Sequence, residues 1–316
     1  MMSIAVTGAT ASGKSDFVLQ LARCLRDERR VKSEIVSCDS VQVYRGFNIG
    51  SAKPVATEQA EFPHHLIDIL TWHGEFDAGS YAVLAREVVE QIQSRGALPI
   101  IVGGTGLYLR AFFGQGFAEN LPKDTALRQE LNAIATDRLL SELRAVDPIR
   151  AGQLHGNDRV RILRAVELCR LTAGPVSSQL KDHGQVRTCK TQAREQTHVM
   201  FLNPERPILH ERIAGRVKAM LAAGLLEEVQ GLLDSGCPPN AKPMQAIGYR
   251  ESVAALKASG GRIDGVDLAK LTEQITIATR QYAKRQTTWF KGAGPDQTVV
   301  QMVDYKSAIA GLCAMR

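Results

Sequence analysis

The chain has 316 residues, 44% of them hydrophobic and 23% charged, with a formal net charge of +6. That is enough chain for a large globular domain and a smaller one, and it holds no apolar run long enough to cross a bilayer. The excess of positive charge suits a polyanionic partner without requiring one.

Six scattered cysteines, Cys24, Cys38, Cys169, Cys189, Cys237 and Cys313, form no CxxC pair. Neither a zinc site nor a disulfide framework is expected, and a reducing cytoplasm is the expected setting. The N-terminus leads straight into a strand, so no signal peptide is expected ahead of it.

The first predicted strand, Ser3-Ile4-Ala5-Val6-Thr7, runs into Gly8-Ala9-Thr10-Ala11-Ser12-Gly13-Lys14-Ser15. This fits G-x-x-x-x-G-K-[ST], the phosphate loop of ATP-binding and other nucleotide-binding proteins. Phe17, Val18, Leu21, Ala22 and Leu25 follow at helical spacing, so a helix starts near Lys14. The glycines let the backbone turn its N–H groups toward phosphate oxygens, and the helix start adds partial positive charge. In such a loop Lys14 reaches the terminal phosphates and the Ser15 hydroxyl holds Mg2+.

A second predicted strand, Glu34 to Cys38, delivers Asp39 and Ser40 to its C-terminal end, where parallel sheets place ligands. Asp39 is a metal-side carboxylate, a general base or a helix cap. Lys53, in the loop Gly50-Ser51-Ala52-Lys53-Pro54, is a candidate second phosphate contact. Phe62 to Ile69 reads as a loop entering a third strand. The adjacent His64 and His65 cannot share one strand face and are expected to be structural. An amphipathic helix over 80–95 and a buried strand over 98–102 lead to a second glycine-rich turn, Gly103-Gly104-Thr105-Gly106-Leu107-Tyr108. Thr105 then shares a sheet edge with Ser15 and Asp39, which implies a cleft between the turns.

The pattern from about 118 to 196 is helical, with Arg159, Arg161, Arg164 and Arg170 giving one basic face. That face is either a solvated helix surface or a polyanion contact. The polar stretch 181–190 is expected to be mobile. A strand returns at 198–202, followed by a helix carrying Arg212 and Arg216 on one face, either able to clamp a diphosphate. Gln245-Ala246-Ile247-Gly248-Tyr249-Arg250 opens another helix. The longest helix, about 267–291, ends in Lys284-Arg285-Gln286-Thr287-Thr288-Trp289-Phe290. Basic residues among aromatics suit a nucleic-acid surface, although Trp289 and Phe290 are equally suited to the core.

Together these segments resemble the tRNA dimethylallyltransferase, or tRNA isopentenyltransferase, family. The resemblance rests on the phosphate loop, Asp39 to Gly46, Ile49 to Pro54, Pro63 to Asp68, Gly103 to Tyr108, Gln245 to Arg250 and Lys284 to Phe290, in the family's order. Three positions depart from it: Ala9 where proline is usual, Ser15 where threonine is commoner, and Val160 where glutamine often precedes the arginine.

The resemblance implies a P-loop NTPase-like α/β core with a parallel sheet flanked by helices. That core is expected over 1–117 and 197–316, with a helical insertion over 118–196 that contacts the tRNA anticodon arm. It implies transfer of a dimethylallyl group from dimethylallyl diphosphate to N6 of the adenosine 3′ of the anticodon, without nucleotide hydrolysis. Residues 8 to 15 would hold the diphosphate, with Mg2+ on Ser15. Asp39 would take the N6 proton, Thr105 would position the reacting groups, and Arg216, with Arg212 as its rival, would clamp the diphosphate. By the same resemblance Asp39, Ser40, Val41, Gln42, Thr105, Arg161, Arg164, Gly248, Tyr249, Arg250, Lys284, Arg285, Gln286 and Trp289 would meet the tRNA. A monomer is expected. Competing expectations are a P-loop kinase of a small metabolite, an isopentenyltransferase of free adenine nucleotides, and an RNA-binding module without catalysis.

Overall fold

A computed structural model describes residues 2–114, 122–177, 197–292, 298–300 and 305–314. The segment 181–190 lies outside the described residues. The chain divides into two compact units, Met1–Phe112 with Gln192–Arg316, and Phe113–Thr191.

The first unit is built on a six-stranded sheet in which every pairing is parallel. Its strands are β1 (Ser3–Gly8), β2 (Ser33–Ser37), β3 (His64–His65), β4 (Leu98–Gly103), β5 (Thr197–Leu202) and β6 (Thr298–Val300), in the order β3-β2-β4-β1-β5-β6. Every residue of β1 and β2 is buried, the signature of strands covered on both faces. The register sets Thr7 beside Gly103 and Ser37 beside Val102. The turns after β1, β2 and β4 therefore leave the sheet at one edge.

Helix Lys14–Arg29 packs Phe17, Val18, Leu21 and Leu25 onto Ile4, Val6, Ile35, Ile100 and Met200. It ends at Arg30, whose left-handed backbone (φ 58°) breaks the helix. Helix Ala78–Ser94 is capped by Asp77, which accepts from Ser80 N–H at 3.0 Å. The third strand is only two residues long because Leu66 (φ 61°) and Asp68 (φ 55°) turn left-handed directly after it. β6 and helix Tyr305–Ala314 lie beyond the last element read from the sequence, and Ile309 joins the sheet core.

Cys24 is disulfide-bonded, which corrects the expectation of reduced cysteines throughout. Cys38, Cys169 and Cys237 are free and buried. Among the described residues no helix is long and apolar enough to cross a membrane.

The second unit holds helices Thr125–Ala133, Thr136–Val146, Pro148–Gln153 and Arg159–Thr172 around Leu131, Leu139, Leu143, Ile162 and Val166. The Asp-Pro and Asn-Asp punctuation marks helix starts. Asp147 caps Arg150 N–H ahead of Pro148 and also accepts from Val176 and Ser177 N–H. Asp158 caps Arg161.

The one basic face expected here is largely paired within the unit. Arg128 and Arg164 both bind the fully buried carboxylate of Glu167 at 2.7 Å. Arg170 pairs with Glu142, and Arg159 donates to the carbonyls of Asn132 and Ile134. Arg161 stays exposed and, among the described residues, pairs with Asp158 one helical turn back.

Candidate active site

Three turns at the sheet edge border a cleft of about 800 Å3, a volume that includes open solvent at its mouth. The first turn is the loop after β1. Gly8 (φ 155°) has no room for a side chain, since a Cβ would lie 2.7 Å from the Leu202 carbonyl, and Gly13 (φ 89°) is left-handed. Lys14 and Ser15 open the helix and line the cleft with Thr10. In this structure Lys14 Nζ folds back to donate to the carbonyls of Ala9 at 2.7 Å and Gly8 at 3.1 Å.

The second turn follows β2. Asp39 Oδ1 accepts from the N–H groups of Val41 at 2.8 Å and Gln42 at 3.2 Å, so the carboxylate does cap the turn. Its other oxygen makes no hydrogen bond among the described residues, and the residue lines the cleft. One oxygen builds the backbone and one is left for chemistry. Gln42 accepts from Ser37 Oγ and donates to the carbonyls of Ser51 and Ala52, fixing the wall they form.

The third turn follows β4. A Cβ on Gly103 would sit 2.0 Å from the Cys38 carbonyl, so only glycine lets these two turns touch. Thr105 then starts helix Gly106–Phe112, beside cleft-lining Gly104.

Helix Arg206–Ala222 separates the rival arginines. Arg216 lines the cleft, whereas Arg212 donates to the Ser12 carbonyl at 3.4 Å on the back of the loop. Burial and the Arg216 charge together push the Lys14 ammonium down to about 7, against the pull of Asp39. Burial also lowers Arg216, again opposed by Asp39. A lysine disfavoured by burial and by a neighbouring arginine, with Asp39 as the carboxylate that offsets both, forms a site that gains from an anion.

Neither Tyr282 nor His64 stands out in the sequence as a cleft residue, yet both line it. Burial and then Asp39 push the Tyr282 hydroxyl up to about 12. Burial lowers His64, whose Nδ1 meets the Phe62 carbonyl at 2.8 Å. Its neighbour His65 points the other way, onto Glu34 at 2.7 Å.

Mg2+ would find the exposed Ser15 hydroxyl and the spare Asp39 oxygen. No group of three or more His, Cys, Asp or Glu side chains able to hold a metal occurs among the described residues. These donors fit Mg2+, which binds through one or two protein oxygens and takes its other ligands from phosphate and water.

The family model for IPP transferase matches residues 42–293. The chain belongs to the IPP transferase family. It is 42% identical over 292 residues to tRNA dimethylallyltransferase 1 of Trichlorobacter lovleyi, covering 91% of this chain and 90% of that one. It is 41% identical over 319 residues to tRNA dimethylallyltransferase of Ralstonia pickettii, covering 98% and 94%. Among solved structures it superposes on the full-length tRNA isopentenylpyrophosphate transferase of Bacillus halodurans with a TM-score of 0.67 at 33% identity, covering 99% and 94%. A eukaryotic dimethylallyltransferase acting on tRNA gives 0.79 at 25% identity, covering 98% and 77%.

Several residues expected to meet RNA have other duties in this IPP transferase. Tyr249 is fully buried and its hydroxyl binds Glu228 at 2.7 Å. Gly248 is buried beside it, whereas Arg250 is exposed. Gln286 is buried between two loops of the cleft, and Arg164 is committed to Glu167. Trp289 lies against Gly106 with Arg110 over its ring at 5.2 Å, and Phe290 is core. Lys284, Arg285 and Arg161 are exposed, and Ser40 and Val41 are half-exposed on the turn after β2. Lys53 is corrected from phosphate contact to structural strut. It is buried on Asp68 at 2.6 Å and the Tyr44 carbonyl at 2.9 Å.

Proposed function

We propose that the chain transfers a dimethylallyl group from dimethylallyl diphosphate to N6 of the adenosine 3′ of the anticodon in tRNA. One observation carries this reading: Lys14, Arg216 and the half-free carboxylate of Asp39 share one cleft. A donor diphosphate seated on the loop N–H groups, Lys14 and Arg216 has its leaving charge stabilised where it develops. The adenosine N6 forms a bond to the allylic C1 as the C1–O bond breaks and diphosphate departs. The spare Asp39 oxygen takes the proton released from N6.

When bound at Ser15, Mg2+ supplies further charge stabilisation to the diphosphate oxygens. Lys14 reaches the donor by leaving the carbonyls of Gly8 and Ala9. The adenine enters unstacked, since its amine has to reach the cleft floor. Exposed Lys284, Arg285 and Arg161 supply charge for the anticodon arm. A monomer working in the cytoplasm, where tRNA is used, completes the proposal. The loop is of the ATP-binding type, but its occupant here is the prenyl diphosphate.

Incubation with labelled dimethylallyl diphosphate and unmodified tRNA, followed by nucleoside analysis, tests the reading. N6-isopentenyladenosine is the expected product. Brisk ATP turnover with no alkylated RNA would instead favour the kinase alternative, and alkylation of free adenine nucleotides alone the nucleotide prenyltransferase.

A further inference from the structure

Helix Leu268–Gly292 inserts one amide between the two glycine loops of the cleft. Gln286 is 7% exposed. Its Oε1 accepts from the Thr10 N–H at 2.8 Å, and its Nε2 donates to the Gly104 carbonyl at 2.8 Å. Thr10 belongs to the anion loop, and Gly104 is the residue before Thr105. Few neutral side chains can accept at one end and donate at the other across such a span. Gly104 allows the approach, because a Cβ there would lie 2.4 Å from Nε2.

The next turn of the helix holds the amide in register. Phe290 is buried against Phe201, with ring centroids 5.4 Å apart. Trp289 covers Gly106, where a Cβ would lie 2.4 Å from the indole. Residues three and four positions along a helix share a face, so these anchors and Gln286 bear on the same turns.

We propose that Gln286 is a positioning residue that sets the distance between the donor loop and the Thr105 turn. Through that distance it governs the reach between the donor carbon and the acceptor amine. The proposal rests on the transfer reaction proposed above and replaces the expected RNA contact at Gln286. Gln286 lines the cleft with its amide already engaged by backbone at both ends, which suits bracing the loops better than gripping RNA. A misplacement of about 1 Å between reacting groups costs on the order of 100-fold in rate, so one bridging amide suffices to matter.

The test compares wild type with Gln286→Met, which keeps the length and loses both bonds. Gln286→Glu is the second variant. It keeps the acceptor for Thr10 but sets a carboxylate against the Gly104 carbonyl. Transfer is measured at saturating anticodon stem-loop, stem-loop Kd by titration, and Kd for inorganic diphosphate by calorimetry. The expected result is a kcat about 10- to 100-fold lower in both variants, weaker diphosphate binding in Gln286→Met, and a stem-loop Kd within about twofold of wild type. A stem-loop Kd raised tenfold or more with kcat unchanged would make Gln286 an RNA contact and overturn the proposal. So would kcat and diphosphate Kd both at wild-type values. The diphosphate measurement needs no RNA chemistry. A wild type that binds diphosphate yet alkylates no RNA therefore sinks the transfer reading, while loss of diphosphate binding in Gln286→Met still upholds Gln286 as a brace of the loop.

Discussion

The hydroxyl of Tyr249 donates to the carboxylate of Glu228 at 2.7 Å, and the same carboxylate accepts from the N–H groups of Asn48, Ile49 and Gly50. A Cβ on Gly50 would strike the Tyr249 ring at 2.5 Å. One acid, one phenol and one glycine thus pin the segment that continues into Ser51 and Ala52 of the cleft wall. Glu228→Ala strips the partner from three backbone donors, and a loss of about 1–3 kcal/mol is expected in urea unfolding. Tyr249→Phe, which keeps the packing, is expected to cost about 1 kcal/mol and to leave anticodon stem-loop affinity unchanged. A large fall in that affinity would return the ring to the RNA surface.

Asp39 divides its oxygens between architecture and chemistry, so its two functions separate by substitution. Asp39→Asn keeps an acceptor for the Val41 and Gln42 N–H groups and removes the base. Single-turnover transfer is expected to fall by about 10²- to 10⁴-fold, with the melting temperature and stem-loop Kd near wild type. Turnover within a few-fold of wild type would remove Asp39 from proton transfer.

The parts of the site written as local motifs were legible in the sequence. The loop 8–15, the carboxylate after β2 and the glycines after β4 each declare themselves through spacing. Parallel strand ends then bring them to one edge. Arg216 was separable from Arg212 only in three dimensions, because a shared helix face does not say which arginine reaches the cleft and which the back of the loop. Tyr282 and His64 gave no local signal, since the pairing of separate segments, not a local motif, brings them to the cleft. Lys53, Arg164 and Tyr249 misled for the opposite reason. A charge or phenol in a motif looks like a ligand contact until its partner in the fold, Asp68, Glu167 or Glu228, is seen.

Glu34 ties β2 to the helix end behind it. Its carboxylate takes two bonds from Arg95, at 2.6 and 2.7 Å, and meets His65 at 2.7 Å. The Arg95 hydrogen bond is the chief cause that holds Glu34 below the ordinary carboxylate range, with burial opposing it and His65 adding to it. A carboxylate lowered in the folded state stabilises above its unfolded value near 4.5 and loses that contribution as pH falls through its folded value. Glu34→Gln is therefore expected to cost about 1–2 kcal/mol at pH 7. The gap to wild type should narrow steadily below pH 4.5 in chemical unfolding. A gap that is constant from about pH 7 to about pH 3 would mean that the pair contributes by shape alone.

Lys284 and Arg285 differ from Arg128, Arg161, Arg164 and Arg170 of the insertion in having no carboxylate partner among the described residues. Arg285 instead lies over the Tyr282 ring at 5.8 Å, and both residues are exposed. Exposed cations without a counter-charge are free to displace counterions from RNA, whereas Arg164 is neutralised by Glu167 before RNA arrives. Replacing Lys284 and Arg285 with glutamine is expected to weaken stem-loop binding. It should also flatten the slope of log K against log salt by about 0.7–0.9 for each phosphate that is no longer neutralised. Arg164→Gln should leave that slope as it is and lower stability by about 1–3 kcal/mol, since Glu167 keeps Arg128 alone. The reverse pattern, with the slope moved by Arg164 and untouched by Lys284 and Arg285, would shift phosphate binding from the long helix to the insertion.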